Sequence, residues 1–276
     1  MEGCVETIIS TRGLRKEFRG FAAVRDVDLQ VRDGSVHALV GPNGAGKTTL
    51  FNLLSGFITP SAGRVEINGR DVTGLAPERI ARLGVARSFQ ITTLFPALSA
   101  REHVELALQA RTGLGWRFWR SDRQLRRFSD RALELLTEVG LDEVAEVPAG
   151  ALAYGRKRAL ELAVALALDP RVLLLDEPTA GMGAEDVDRT VGLVRRVARG
   201  RTVVMVEHNM SVVASLADRV TVLQQGQILV EGPYEEVRAD PRVITAYLGE
   251  PGGGERENPE RENPERNVGE SGAADS

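Results

Sequence analysis

The chain has 276 residues, of which 42% are hydrophobic and 27% charged, with a formal net charge of −4. This is the composition of a soluble globular protein of one large domain or two modest ones, and it excludes collagen-like and membrane-embedded classes. A single cysteine, Cys4, excludes an internal disulfide or a cysteine-based metal site.

The start, MEGCVETIIS, carries acidic residues where a secretory leader needs basic ones, so no leader is expected. The longest apolar runs, at 163–168 and 172–175, are too short to cross a bilayer. The chain is therefore expected to stay in the cytoplasm and to meet a membrane only through a partner. Residues 24–31 (VRDVDLQV) alternate apolar and polar and predict a half-buried strand. Residues 36–40 form an almost continuous apolar run leading into GPNGAGKTTLFNLLSG, which reads as strand, glycine-rich loop and helix. Residues 64–68, followed by Gly69, read as another strand ending in a turn.

From Ser99 to about Leu168 the pattern turns helical, with Ser129 and Asp130 as candidate caps and Gly140 as a stop. This stretch predicts a helical subdomain, roughly 97–168, inserted into an α/β body that spans 6–249. Beyond it, buried strands at 172–175 and 202–206 alternate with helices, the pattern of a parallel sheet covered on both faces. The segment 250–276, with its ERENP repeat, is polar and lacks an apolar period, so a disordered tail is expected. Residues 251–276 hold seven acids and three arginines, enough to account for the net charge, so the body is near neutral and no nucleic-acid partner is implied.

Gly41, Pro42, Asn43, Gly44, Ala45, Gly46, Lys47 and Thr48 match G-x-x-x-x-G-K-[ST] in full, with Thr49 next in the helix. The glycines let backbone N–H groups wrap the phosphates of a nucleotide. Lys47 is placed to reach the terminal phosphates and the Thr48 hydroxyl to ligate Mg²⁺. The following helix directs its positive end at the same anion. Only three lysines occur in the chain, Lys16, Lys47 and Lys157, so a lysine here stands out against thirty-two arginines.

The run VLLLDEP delivers Asp176 and Glu177 at the C-terminal end of a buried strand, where ligands of open parallel sheets sit. Asp176 is a candidate Mg²⁺ ligand, and Glu177 is a candidate base for the attacking water. Of the three histidines, His37 and His103 read as structural, whereas His208 falls just past a sheet strand.

With these residues stand Leu152-Ala153-Tyr154-Gly155, twenty-one residues or more before Asp176, and Gln90 in VARSFQ. Together they resemble the ATP-binding subunit of ABC transporters over about 8–249. The resemblance implies a P-loop ATPase fold of α/β class. Such a fold has a mostly parallel core sheet, an N-terminal antiparallel β subdomain and an inserted helical subdomain. It implies ATP as substrate with Mg²⁺, Gln90 as a metal- and water-sensing residue and His208 on the γ-phosphate. Phe18 would stack on adenine, with Phe21 as a competing candidate. Ala153, Tyr154 and Gly155 would complete the ATP site of a second ATPase subunit, and permease subunits would ride on the motion of the pair.

The usual signature Leu-Ser-Gly-Gly-Gln is here Leu-Ala-Tyr-Gly-Arg, and Ala180 to Gly183 stand in place of the common Ser-Ala-Leu-Asp. Those departures, with LARLGVARSFQ and ADPRVITAYLG, resemble the ATP-binding component of branched-chain (hydrophobic) amino acid importers, which work with an extracytoplasmic solute-binding protein. That implies a place on the cytoplasmic face of the membrane. Relatives serving urea, amides or small organic acids, and non-transport ABC ATPases, are the alternatives. Arg111 to Arg131, with seven arginines and both tryptophans, Trp116 and Trp119, is a candidate contact for permease or headgroups. A solvated helical insertion is its other reading.

Overall fold

The computed structural model describes residues 6–88, 94–112 and 122–248. Gln90, Trp116, Trp119 and the expected tail lie outside the described residues.

The apolar runs of the sequence become the middle of a six-stranded sheet. Its strands are β4 (Val36–Val40), β7 (Val85–Arg87), β8 (Val172–Asp176), β9 (Thr202–Val206), β10 (Arg219–Gln224) and β11 (Gln227–Gly232), in the order β11-β10-β4-β9-β8-β7. All neighbours run parallel except β11, which closes one edge antiparallel to β10. Strands β4, β8 and β9 are buried along their whole length. This is why they read as continuous apolar runs rather than alternating ones.

Alternate residues of each strand serve opposite faces. Val172, Leu174, Val204 and Val206 pack with Leu50, Phe51 and Leu54 of α1 (Lys47–Leu54). Leu173, Leu175, Val203 and Met205 pack into the opposite layer, with helices α3 (Ala100–Arg111), α4 (Asp122–Val139), α5 (Tyr154–Ala167), α6 (Ala184–Val197) and α7 (Met210–Leu216). Each such side chain, fully buried, contributes about 1.5–3 kcal/mol. No helix of the described residues is long and apolar enough to cross a membrane.

A second, antiparallel sheet covers the α1 side. It has the order β2-β1-β5-β6, with β3 also on β1. Its strands are β1 (Thr7–Phe18), β2 (Phe21–Val27), β3 (Gln30–Arg32), β5 (Ala62–Ile67) and β6 (Arg70–Asp71). The single strand expected over 24–31 is thus two. Asp26 takes φ +48, and the chain breaks before Gln30, so β2 and β3 pair with different stretches of β1. The Thr11 hydroxyl bridges the break, donating to Val27 O at 2.8 Å and accepting from Leu29 N at 2.9 Å.

Helices α3, α4 and α5 pack on one another through Val104, Leu135, Leu136 and Leu160. Helix α3 opens with a reciprocal capping box between Ser99 and Glu102. The start expected for α4 near Ser129 and Asp130 needs correction, because the helix begins at Asp122. Ser129 lies inside it and accepts a hydrogen bond from Arg101 at 2.9 Å instead of capping. Gly140, at φ +75, does end it. The described residues also include the short helices α2 (Pro77–Ala81), α8 (Tyr234–Ala239) and α9 (Pro241–Leu248).

Candidate active site

Strand register sets the site. Leu39 of β4 and Asp176 of β8 both pair with Val206 of β9, so the three parallel strands end side by side. The loop from Gly41, the turn from Glu177 and the pair Glu207–His208 therefore leave the sheet at one edge. Backbone bonds fix the exits: Glu177 N donates to Val206 O at 2.9 Å, and Glu207 N to Leu39 O at 3.4 Å.

Two glycines of the loop are dictated by space. A Cβ on Gly41, at φ +144, would fall 2.2 Å from Leu223 O. One on Gly46, at φ +101, would fall 2.5 Å from Ala23 O of β2. The loop is thereby wedged between the two sheets, while Asn43 and Gly44 stay exposed. Lys47 bends back on its own loop, its Nζ donating to Gly41 O at 2.6 Å and Pro42 O at 3.0 Å. Burial holds its ammonium below the usual lysine range, against the opposing pull of the Glu177 charge. Thr48 is exposed in the first turn of α1, and Thr49 behind it is half-buried.

Asp176 is buried. Its Oδ2 accepts from Arg87 Nη2 at 2.8 Å, while Oδ1 has no partner among the described residues. Glu177, half-buried, holds φ +47, a left-handed conformation rare for a residue with a side chain. The turn after it is tied down from β9. Glu207, fully buried, accepts from Thr179 N at 3.1 Å and Thr179 Oγ1 at 2.6 Å. Its other oxygen accepts from His208 N at 3.1 Å and Asn209 N at 3.2 Å. His208 itself is exposed at the rim.

The other histidines are inside. His37 Nε2 meets Thr221 Oγ1 at 2.8 Å. Burial pushes its imidazole down to about 4, with the Glu231 charge opposing and the Arg219 charge assisting. His103 Nε2 accepts from Phe95 N at 2.9 Å, which leaves Nδ1 to donate to Ser99 O at 2.8 Å.

Phe18 and Phe21 pair across the tip of the β1–β2 hairpin, both exposed, and Lys16 Nζ lies 5.1 Å from the Phe18 ring centre. Ala153, Tyr154 and Gly155 stand at the N-terminus of α5. Ala153 is the cap residue and has no side-chain cap bond. The Tyr154 hydroxyl donates to Ala180 O at 3.4 Å, joining this loop to the turn after Glu177. Tyr247 of α9 sits by the loop from the opposite side. Burial pushes its phenol up to about 12, with the Gly41 backbone pulling the other way.

Two residues of the site carry no motif signal in the sequence, Arg87 and Glu207. An arginine at the end of a short strand and an acid beside a histidine are common in any chain. Only the three-dimensional neighbours distinguish them.

Comparison with known proteins fits this arrangement. Residues 24–180 match the family model for the ABC transporter, and 227–252 match that of the branched-chain amino acid ATP-binding cassette transporter. The high-affinity branched-chain amino acid transport ATP-binding protein BraF of Pseudomonas aeruginosa is 39% identical, covering 88% of this chain and 98% of its own. Its counterpart LivG of Salmonella typhimurium is 38% identical, covering 89% and 99%. Among solved structures, the ADP conformation of MJ1267, an ATP-binding cassette of an ABC transporter, superposes with a TM-score of 0.77 at 27% identity over 89% of this chain and all of that one. A dimeric post-hydrolysis ATP-binding cassette, MJ0796, bound to ADP and Pi, gives 0.70 at 25% identity over 82% and 99%. The chain belongs to the family of ABC transporter ATP-binding subunits.

Proposed function

We propose that this chain hydrolyses ATP at the sheet edge described above to drive a branched-chain amino acid importer. It would work as one of two ATPase subunits on the cytoplasmic face of a permease fed by a solute-binding protein. The observation that carries the reading is the convergence of the phosphate loop, Asp176, Glu177 and His208 at the ends of three adjacent strands. The match of 227–252 supports the substrate class.

Residue roles follow from chemistry. Gly41 to Thr49 wrap the phosphates, and Lys47 exchanges its two loop carbonyls for phosphate oxygens. Glu177 takes the proton of the attacking water as its oxygen bonds to the γ-phosphorus and the bond to the β-phosphate oxygen breaks, leaving ADP and phosphate. His208 donates to the γ-phosphate, and Gln90 orients water. Phe18 stacks on the adenine. Phe21, its cross-strand neighbour, is the competing candidate.

The residues fit Mg²⁺: Asp176 offers a buried oxygen without a partner among the described residues, and Thr48 an exposed hydroxyl. Asp176 and Thr48, with Gln90, would hold the ion, which supplies charge neutralisation on the phosphates. Ala153, Tyr154 and Gly155 present uncapped N–H groups of α5 to the nucleotide of a second subunit. The body 6–249, with helices of 97–168 as the moving part, carries that contact to the permease.

The test is uptake by cells lacking their own importers. They would express this chain with its permease, binding protein and sister ATPase, and be offered labelled leucine, isoleucine, valine or urea. Uptake of the branched amino acids that disappears with Lys47→Ala is expected. Uptake of urea alone would overturn the substrate class.

A further inference from the structure

We propose that Arg87 is a positioning residue that stands in for the metal at Asp176, so that a divalent cation is admitted only together with nucleotide. The inference rests on Asp176 as the residue that holds the metal.

Strand β7 runs parallel to β8 with Arg87 opposite Leu174, so the arginine side chain reaches along the sheet edge to Asp176 two residues on. The resulting ion pair is desolvated, the side chains being 12% and 1% exposed. The guanidinium is held on further sides as well, although its Nε has no hydrogen-bond partner among the described residues. Nη1 donates to Asn52 Oδ1 at 2.6 Å and to Ser55 Oγ at 3.0 Å. Its plane lies against Phe51 and Phe57, 4.9 and 5.1 Å from the ring centres. Asn52 and Phe51 belong to α1, the helix that begins with Lys47. The same guanidinium thus bridges the helix of the phosphate loop and the strand of the carboxylate.

A single fixed positive charge has two consequences for a carboxylate buried this deeply. It gives the carboxylate a partner and aims it while the site lacks nucleotide, because an unpaired buried carboxylate is strongly disfavoured. It also repels a dication arriving alone, since the two cations would share one carboxylate in a medium of low dielectric. Nucleotide phosphates bring the negative charge that removes this repulsion. Arg87 then holds Oδ2 while Oδ1 remains open.

The experiment measures Mn²⁺ binding without nucleotide at pH 8, through loss of the free-ion electron paramagnetic signal. Its proteins are wild type, Arg87→Met, Arg87→Lys and Arg87→Met/Asp176→Asn. The expected result is Mn²⁺ affinity raised at least about tenfold in Arg87→Met. It should return near the wild-type value in Arg87→Lys and be lost in the double variant. Unchanged or weaker Mn²⁺ binding by soluble, folded Arg87→Met overturns the proposal. So does a gain that persists in the double variant. If Arg87→Met does not fold, Arg87→Gln, which removes the charge but keeps a polar side chain, should raise Mn²⁺ affinity in the same direction, and no rise overturns the proposal. Binding of a fluorescent ATP analogue with Mg²⁺ by wild type separates the two claims. Its absence contradicts Asp176 as part of a nucleotide site, whereas its presence leaves the Mn²⁺ comparison to decide on Arg87.

Discussion

Glu177 sits in a backbone conformation that costs about 1–3 kcal/mol for a residue with a Cβ, a cost its surroundings must offset. The restraint is Glu207, whose two oxygens collect four hydrogen bonds from Thr179, His208 and Asn209. One buried carboxylate therefore sets both the turn that aims Glu177 and the start of the His208 segment. Glu207→Gln replaces one acceptor with an NH₂ group that confronts backbone N–H donors. We expect a loss of about 2–4 kcal/mol in denaturant unfolding and a turnover lowered about tenfold or more, with nucleotide still bound. Wild-type stability in that variant would remove Glu207 from the account. The loop is as sharply constrained: Gly46→Ala drives a methyl to 2.5 Å from Ala23 O, so nucleotide binding measured by calorimetry should be abolished. Retained affinity would show that β2 yields.

At the scale of elements, the altered signature loop has a local structural consequence. Ala153 has the extended backbone of a helix cap but no oxygen to accept from the first N–H groups of α5. Ala153→Ser should therefore stabilise the protein by about 1 kcal/mol, raising its melting temperature by about 2–4 °C in thermal unfolding. No rise would mean those N–H groups already have partners. The β4, β10 and β11 ladder carries a second internal device, in which His37 contacts Thr221, Thr221 donates to Glu231 at 2.9 Å, and Arg219 donates to Glu231 at 2.6 Å. The unfolded chain binds a proton at His37 below its ordinary 6.5, while the folded chain does so only near 4. The unfolded state thus binds more protons between those values, so this contribution is present at neutral pH and is lost as pH falls from 6.5 to 4, by about 3 kcal/mol. His37→Gln should flatten that part of the stability–pH curve. An unchanged curve would place the acid sensitivity elsewhere.

For the whole molecule, legibility in the sequence follows the range of the interactions. The strands at 36–40, 172–176 and 202–206 are readable because burial on both faces leaves an unbroken apolar run. The phosphate loop is readable because its chemistry is local in sequence. The break between β2 and β3 is not readable, since it depends on which stretch of β1 each half pairs with. The start of α4 was masked by polar residues between Asp122 and Asp130 that look like caps. Arg87 is separated from Asp176 by 89 positions, and Glu207 from Thr179 by 28, so no local pattern marks either. What the register adds is that the phosphate loop, the turn from Glu177 and the pair Glu207–His208 leave the sheet at one edge.

The most direct test is ATP hydrolysis by wild type and Glu177→Gln, followed by sizing of each protein with ATP and Mg²⁺ present. Turnover should fall at least about a hundredfold in the variant, which should then accumulate as an ATP-dependent dimer. A variant that hydrolyses ATP at the wild-type rate and stays monomeric would contradict both the role given to Glu177 and the paired mechanism.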